Sequence, residues 1–555
     1  MIDPALRERV EQWRDDDPDP VTAAELDELL VAGDEAALRE RFDQPLSFGT
    51  AGLRGAVGAG PGRMNRAVVR RTAAAIARWL DEANVDGPVV VGRDARHGSA
   101  EFADDTARVL AAAGRDVLSF PDPVPTPLLA FALLDAGVAA GIMVTASHNP
   151  RADNGYKVYA SHGAQIAPPM DEEIARHIAE VGLVSDIVLA DADADADADD
   201  RRLGMLGADV VERYVTGVAR LRVRPDVAGP RVAYTAMHGV GGDVLRRAFE
   251  EAGLDAPVAV EAQDRPDPDF PTAAFPNPEE PGAMDLLLAL AADGGVDLAL
   301  ANDPDADRLA VAVPVDDGWR TLTGDEVGVL LADHLLRHGT GDDRFVATTV
   351  VSSTLLASVA ASYGVECAET LTRFKWLAQA ARGRSLTLAY EEALGYCVGD
   401  LVHDKDGIGA AVVVAELAGV LASEGSSIPD RLDEIARAHG LHLTEQWSNR
   451  FEGIDGADRM TSAVDSLRRE PPSRLGSFEV TEVEDLAPGG RLPPTDAVIL
   501  RGEGMRVVVR PSGTEPKLKA YVEVVVPVDA SVAEARSAGS ERIAAVVAAV
   551  ASLLS

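Results

Sequence analysis

The string Asp303-Pro-Asp-Ala-Asp-Arg308 sets three carboxylates two residues apart and follows them with an arginine. In an extended segment, residues at i, i+2 and i+4 point the same way, so the spacing predicts an acidic cluster on one face. Carboxylates crowded together repel unless a cation sits among them. A small set of hard oxygen ligands suits Mg²⁺, with a substrate phosphate completing the shell. The competing reading is a solvated acidic turn, which so acidic a chain makes often. The string is not an EF-hand loop, because its sixth position is Arg308 rather than Gly and its twelfth is Pro314 rather than Glu. The apolar run before the string and the arginine after it favour the metal.

Four other strings carry reactive groups. In Thr145-Ala-Ser-His-Asn-Pro150 the Asn-Pro pair forces a turn, which presents the hydroxyl of Ser147 at a loop tip beside His148. It is not the Gly-x-Ser-x-Gly elbow of an α/β-hydrolase. Lys157 follows within ten residues and could serve the same site. Arg510-Pro-Ser-Gly-Thr-Glu-Pro-Lys517 offers a guanidinium, the hydroxyls of Ser512 and Thr514 and the backbone of Gly513, a plausible phosphate cradle that also reads as a hairpin turn. No Gly-Lys pair occurs anywhere, so a Walker A loop is absent. Phe48-Gly-Thr-Ala-Gly-Leu-Arg-Gly55 reads as a glycine-rich loop carrying Arg54, and Glu391-Glu-Ala-Leu-Gly-Tyr396 could offer carboxylates to sugar hydroxyls.

The elements that position these strings follow from periodicity. Asn65–Ala83, Ala100–Ala113 and Thr126–Ala136 read as helices, and Pro88–Arg93, Asp116–Phe120 and Gly141–Thr145 as strands. That alternation predicts a mostly parallel sheet covered on both faces. It restarts with strands at Arg231–Ala236 and Asp297–Ala301, and again at Phe345–Val351 and Leu386–Tyr390. The last segment differs, with strand-like runs at Phe478–Val483, Ala497–Gly502, Arg506–Arg510 and Lys519–Val526 before a helix at Ser531–Leu554. The expected fold is α/β, with three similar units of mostly parallel mixed sheets and a C-terminal α+β domain around a central cleft. A polar string follows a strand in each unit, and open α/β sheets bind ligands beyond the carboxyl ends of their strands. The acidic tract Asp191–Asp200 marks a boundary, giving domains at 1–200, 201–322, 323–443 and 444–555.

Composition bounds the partners. Among 555 residues, 91 acidic against 52 basic side chains leave a net charge of −39, which repels nucleic acid and anionic membranes. An anionic substrate therefore needs local clusters of Arg and Lys. Cys367 and Cys397 form no CxxC pair and suggest a reducing compartment. The start of the chain lacks the apolar core of a signal peptide. The longest apolar stretches, such as Ile543–Leu554, are shorter than the ~18–20 residues of a membrane span. A cytoplasmic protein is expected, of unspecified oligomeric state.

Taken together and in this order, the five strings resemble the α-D-phosphohexomutase superfamily from about Phe48 to Lys519; TASHNP, DPDADR and RPSGTEP are highly specific as a set. The FGTAGLRG opening is most similar to the branch holding phosphopentomutase-type and bacterial phosphogluco- or phosphomannomutase-type members. The resemblance implies that Ser147 carries a phosphoryl group. It implies one Mg²⁺ per chain, held by Asp303, Asp305 and Asp307 with that phosphate on Ser147. Arg54, His148 and Lys157 would line the reacting centre, with Arg308 and Lys375 near the substrate. Glu391 would bind sugar hydroxyls, and Arg510, Ser512, Gly513 and Thr514 the non-reacting phosphate. The activity implied interconverts sugar 1- and 6-phosphates of glucose or mannose through a bisphosphosugar, which would also be the activator. A phosphopentomutase, a metal-dependent sugar phosphatase and a non-catalytic sugar-phosphate-binding homologue are the alternatives. Two departures bear on the choice of sugar: Ala393 stands where hexose-phosphate relatives usually carry Ser, and Arg373 where they commonly carry Gly.

Overall fold

Branched apolar runs such as Val89-Val-Val and Ile142-Met-Val are too short for helices and buried throughout, and they form the centre of the first sheet. This computed structural model describes residues 2–49, 52–191, 202–451, 456–512 and 517–554. The chain divides into two compact units, Met1–Thr321 with Gly395–Gly419, and Leu322–Leu394 with Val420–Ser555.

The first unit opens with three helices, α1 (Pro4–Asp16), α2 (Pro20–Ala32) and α3 (Glu35–Phe42), each capped by an aspartate, at Asp3, Asp19 and Asp34. They close over their own small core of Leu6, Val10, Leu26, Leu38 and Phe42. Six strands follow: β1 (Leu53–Ala56), β2 (Val89–Arg93), β3 (Val117–Ser119), β4 (Ala140–Val144), β5 (Asp153–Ala160) and β6 (Leu203–Met205), in the order β1-β5-β4-β2-β3-β6. β2, β3, β4 and β6 run parallel, connected in part by α5 (Ser99–Ala112) and α6 (Thr126–Ala136), with α4 (Arg66–Glu82) leading into β2. β5 turns back antiparallel on β4, and β1 pairs antiparallel with β5. The register sets Lys157 opposite Met143 and Arg54 opposite Gly155. Arg54 thus lies on an edge strand, not in a flexible loop. Gly155 allows this close pairing, since a Cβ there would lie 2.5 Å from the Thr145 carbonyl oxygen and 2.9 Å from that of Leu53.

The second sheet of this unit is β11-β10-β9-β7-β8, from β7 (Val232–Thr235), β8 (Val258–Ala259), β9 (Leu298–Ala301), β10 (Ala310–Val315) and β11 (Gly318–Thr321). β7 is parallel to β8 and β9, while β10 folds back on β9 with Ala310 opposite Ala301. The acidic string is therefore the turn between β9 and β10, with Ala306 at φ 56°, and not an extended segment. β15 (Gly395–Val398) belongs to this unit too, with a bridge from Gly395 to Arg308.

In the second unit, β12 (Arg344–Thr349) lies between two parallel neighbours, β13 (Glu366–Thr370) and β14 (Ser385–Glu391). The C-terminal sheet runs β16-β22-β21-β20-β19 and is antiparallel, from β16 (Leu441–Arg450), β19 (Glu482–Asp485), β20 (Val498–Gly502), β21 (Met505–Pro511) and β22 (Lys517–Val526). A short hairpin, β17 (Arg474–Leu475) with β18 (Phe478–Glu479), precedes β19. β16 opens this sheet at Leu441, three residues before the expected boundary at 444. The helix Val532–Leu554, at 23 residues, is long and apolar enough to cross a membrane. Its Val532, Ala535, Gly539, Ile543, Val546, Val550 and Leu554 are buried at helical spacing. All but Gly539 lie in the core formed with this sheet, which fits the core helix of a domain.

Candidate active site

At the carboxyl end of β4 the chain turns through Ser147, a non-glycine residue in the left-handed region at φ 52°. Its amide donates to Thr145 Oγ1 (2.9 Å), and its Oγ donates to Asp303 Oδ2 (2.9 Å) and lies 3.2 Å from His148 Nδ1. Ser147 is 3% exposed. Burial, with Arg308 and Arg54 nearby, pushes the His148 imidazole well below its usual range, so the ring is neutral at pH 7.

Asp303, Asp305 and Asp307 offer carboxylate oxygens within 4.8 Å of one another, all buried. The turn, rather than strand alternation, gathers them. Lys157 Nζ donates to Asp305 Oδ2 (2.7 Å) and Asp307 Oδ2 (2.8 Å). Burial opposes charge on Lys157, but the two carboxylates outweigh it and hold the ammonium above its usual range. Asp305 Oδ1 and Asp307 Oδ1 are buried and accept no hydrogen bond among the described residues. A buried carboxylate oxygen without a donor is costly, so the donor set fits a small hard cation. Asp305 also meets the start of α6: Thr126 N donates to its carbonyl (2.9 Å) and Thr126 Oγ1 to its Oδ2 (2.6 Å). Arg308 N donates to Asp303 Oδ1 (3.0 Å), and Arg308 Nη1 to Glu279 Oε2 (3.2 Å). Arg54 Nη1 donates to Asn149 Oδ1 (3.0 Å). Ser147, His148, Lys157, Arg54, the three aspartates and Arg308 are therefore neighbours in one unit.

Three contributors were missed in the sequence. Lys405 Nζ reaches Asp307 Oδ2 at 3.2 Å, and its signal was a lysine between Asp404 and Asp406. Gly239 passes against the acidic turn, where a Cβ would lie 2.3 Å from both Pro304 Cα and Pro304 O. Arg96, three residues past the end of β2, donates to the Ser147 carbonyl.

The second unit carries the other expected residues. Glu391, at the end of β14, accepts from the Arg373 amide (2.5 Å). Arg373 itself sits at φ 92°, which explains why glycine is the easier residue there. Lys375 is buried, with Nζ 5.4 Å from the Trp376 ring centroid. Arg510, near the end of β21, lies opposite Lys519 on β22, and Ser512 N donates to Lys517 O (2.7 Å). Burial, then the charge of Glu392, raises the Tyr521 hydroxyl pKa, with Glu391 adding to the rise and Arg510 opposing it. Glu391, Glu392 and Arg510 are thus electrostatic neighbours around Tyr521 within this unit. Gly513 and Thr514 lie outside the described residues.

Comparison with known proteins agrees with this geometry. Family models described as phosphoglucomutase/phosphomannomutase match over residues 45–184 (alpha/beta/alpha domain I), 212–316 (domain II), 323–439 (domain III) and 475–536 (the C-terminal domain). The chain belongs to the α-D-phosphohexomutase superfamily. A probable phosphomannomutase of Haemophilus influenzae is 39% identical over 83% of this chain and 93% of its own length. A probable phosphoribomutase of Schizosaccharomyces pombe is 37% identical over 94% of each chain, and a mouse phosphopentomutase 34% identical over 95% of this chain and 91% of its own. The crystal structure of a putative phosphomannomutase from Thermus thermophilus superposes with a TM-score of 0.71 at 25% identity, covering 92% of this chain and 99% of that one. As a member of this superfamily, the protein is a phosphosugar mutase, an isomerase that transfers phosphoryl groups.

Proposed function

We propose that the protein interconverts the 1- and 6-phosphates of glucose or mannose through a phosphoserine at Ser147. The observation that carries this reading is the Ser147 Oγ–Asp303 Oδ2 contact of 2.9 Å beside three buried carboxylates and the Lys157 ammonium. In the proposed cycle, phospho-Ser147 gives its phosphoryl group to the free hydroxyl of a sugar monophosphate. The resulting bisphosphosugar turns round and returns its other phosphate to Ser147; the same compound serves as activator. Lys157 or Arg54 assists proton transfer, while neutral His148 and Arg308 line the reacting centre. Glu391 and Lys375 meet the sugar, and Arg510, Ser512, Gly513 and Thr514 hold the phosphate that does not react. Asp303, Asp305 and Asp307 would hold one Mg²⁺ together with the Ser147 phosphate, and that ion would neutralise charge on the transferring oxygens.

The deep burial of Ser147 supports transfer to sugar over loss to water. The intact serine, aspartates and lysine speak against a non-catalytic homologue. A second reading, phosphopentomutase, is favoured by two relatives of that kind that align over 94–95% of this chain. Ala393 favours it too, since a site with fewer fixed polar partners rejects a mismatched sugar less strongly. We place the domains at 1–200, 201–322, 323–440 and 441–555, and the protein in the cytoplasm. The deciding experiment pairs kcat/KM across glucose, mannose, ribose and glucosamine phosphates with intact-mass spectrometry of wild type and Ser147→Ala. We expect a phosphate on the wild type that the variant lacks, together with loss of turnover. Substantial turnover by Ser147→Ala would refute the relay.

A further inference from the structure

One buried guanidinium sits against the Ser147 turn. Arg96 is 4% exposed, and its two terminal nitrogens carry four N–H groups. Nη2 donates to the carbonyls of Ser147 (2.6 Å) and Asn149 (2.6 Å). Nη1 donates to those of Pro150 (2.9 Å) and Asp153 (3.2 Å). The remaining donor, Nε, faces Asp94 Oδ2 at 3.3 Å. Asp94 is fixed in turn, its Oδ1 accepting from Arg96 N (2.9 Å) and Ser99 Oγ (2.6 Å). The Phe270 ring covers the guanidinium, with its centroid 4.9 Å from Cζ.

Every terminal donor of Arg96 is thus spent on the backbone from 147 to 153, the turn that presents Ser147. That turn needs holding, because a serine at φ 52° is in a sparsely populated region and persists only where its surroundings over-determine it. Four carbonyl dipoles converging on one buried cation supply that constraint. A lysine could not replace it, since three donors on a single tetrahedral nitrogen cannot reach four acceptors spread over a planar fork.

We propose that Arg96 is a positioning residue for phosphoryl transfer: by gathering the carbonyls of Ser147, Asn149, Pro150 and Asp153 it fixes the Ser147 hydroxyl against Asp303. It acts through Ser147 and does not touch substrate. The proposal rests on the phosphoserine reading above. Arg96 has no part in gripping sugar or distal phosphate, so losing it should reduce kcat and leave KM almost unchanged.

The test is Arg96→Lys in the full chain, read by kcat and KM separately and by hydrogen exchange of amides 146–154. A displacement of about 1 Å at a reacting group costs on the order of a hundredfold, so a kcat loss of about that size is expected, with KM steady and exchange faster in the turn. If Arg96→Lys does not fold, Phe270→Leu removes the covering ring but keeps all the donors. It should give a smaller kcat loss and faster exchange in the same turn. Wild-type kcat and wild-type exchange in a folded variant would overturn the proposal, as would a loss falling on KM. A wild type that turns over no sugar phosphate would sink the mutase reading instead. Exchange at 146–154 would still decide whether Arg96 clamps the turn.

Discussion

Replacing Lys157 by Met removes the cation that two buried carboxylates share and leaves its volume nearly unchanged. Asp305 would keep one side-chain donor among those described, Thr126 Oγ1 at 2.6 Å, while Asp307 would keep Lys405 at 3.2 Å and Arg308 at 4.0 Å. Breaking a buried pair by removing one partner costs about 3–5 kcal/mol. The cations left near Asp307 place this case at the lower end, about 3 kcal/mol. Mg²⁺ should restore most of it, since a ligand at a hundredfold excess over its Kd stabilises by about 2.7 kcal/mol. In the wild type an ion at this cluster would compete with the Lys157 ammonium for the carboxylates of Asp305 and Asp307, so its gain should be smaller. The assay is a thermal melt of both proteins in chelator and across a Mg²⁺ titration. Lys157→Met should melt lower in chelator and gain more from Mg²⁺ than the wild type. A variant melting like the wild type in chelator, or a loss that Mg²⁺ does not return, would refute the reasoning.

Glu523 is buried, and although burial raises its pKa, His442 and Arg506 with the Ser353 hydroxyl bring it down from 4.5 to about 2. The sign follows: this stabilisation is full above pH 4.5 and lost as pH falls towards 2, amounting to about 3 kcal/mol. Acid titration of denaturation midpoints should show that slope in the wild type and a flatter one in Glu523→Gln. Gly239→Ala would drive a methyl against Pro304 backbone, costing about 1–3 kcal/mol and lowering kcat by shifting the acidic turn; a melt and a rate assay check both. Arg510→Ala should raise KM more than it lowers kcat, for a loss of about 1.5–3 kcal/mol in kcat/KM, measured by steady-state kinetics.

Much of the architecture is legible in local sequence. Thr126–Ala136 is helical over the span its periodicity predicts, and the strand cores at 89–93, 298–301 and 506–510 fall where apolar runs end in polar strings. Local pattern fails where pairing decides the conformation. Arg54 sits among glycines that read as loop, yet β5 supplies a partner strand and Gly155 the room for it. The three aspartates alternate as if extended, but Pro304 and the positive φ of Ala306 turn them inward. The N-terminal helices carried readable signals that alternation along the sheet obscured: Asp-Pro at Asp3-Pro4 and Asp19-Pro20, an N-cap followed by proline. Lys405 lies about a hundred residues from the turn it enters, and only topology brings it there.

The distribution of lysine answers how so acidic a chain could handle an anionic substrate. The sequence holds only five lysines: Lys157, Lys375, Lys405, Lys517 and Lys519. Lys157 and Lys405 enter the aspartate cluster, Lys375 follows the loop whose Arg373 amide Glu391 holds, and Lys517 and Lys519 sit at the start of β22. Every other side-chain cation besides histidine is arginine, and many of these pair with carboxylates on the surface, as Arg39 does with Glu35 and Arg213 with Asp135. The two residues suit these places for different reasons. A guanidinium forks onto a carboxylate or onto several carbonyls and stays charged, which serves surface pairs and the Arg96 clamp. An ammonium is a compact point charge whose proton can be tuned by burial and neighbours, which suits a group between the carboxylates of Asp305 and Asp307. A net charge of −39 therefore still leaves local cations in place: Lys157 and Lys405 are held at the aspartate cluster, while surface arginines such as Arg39 and Arg213 pair with surface acids.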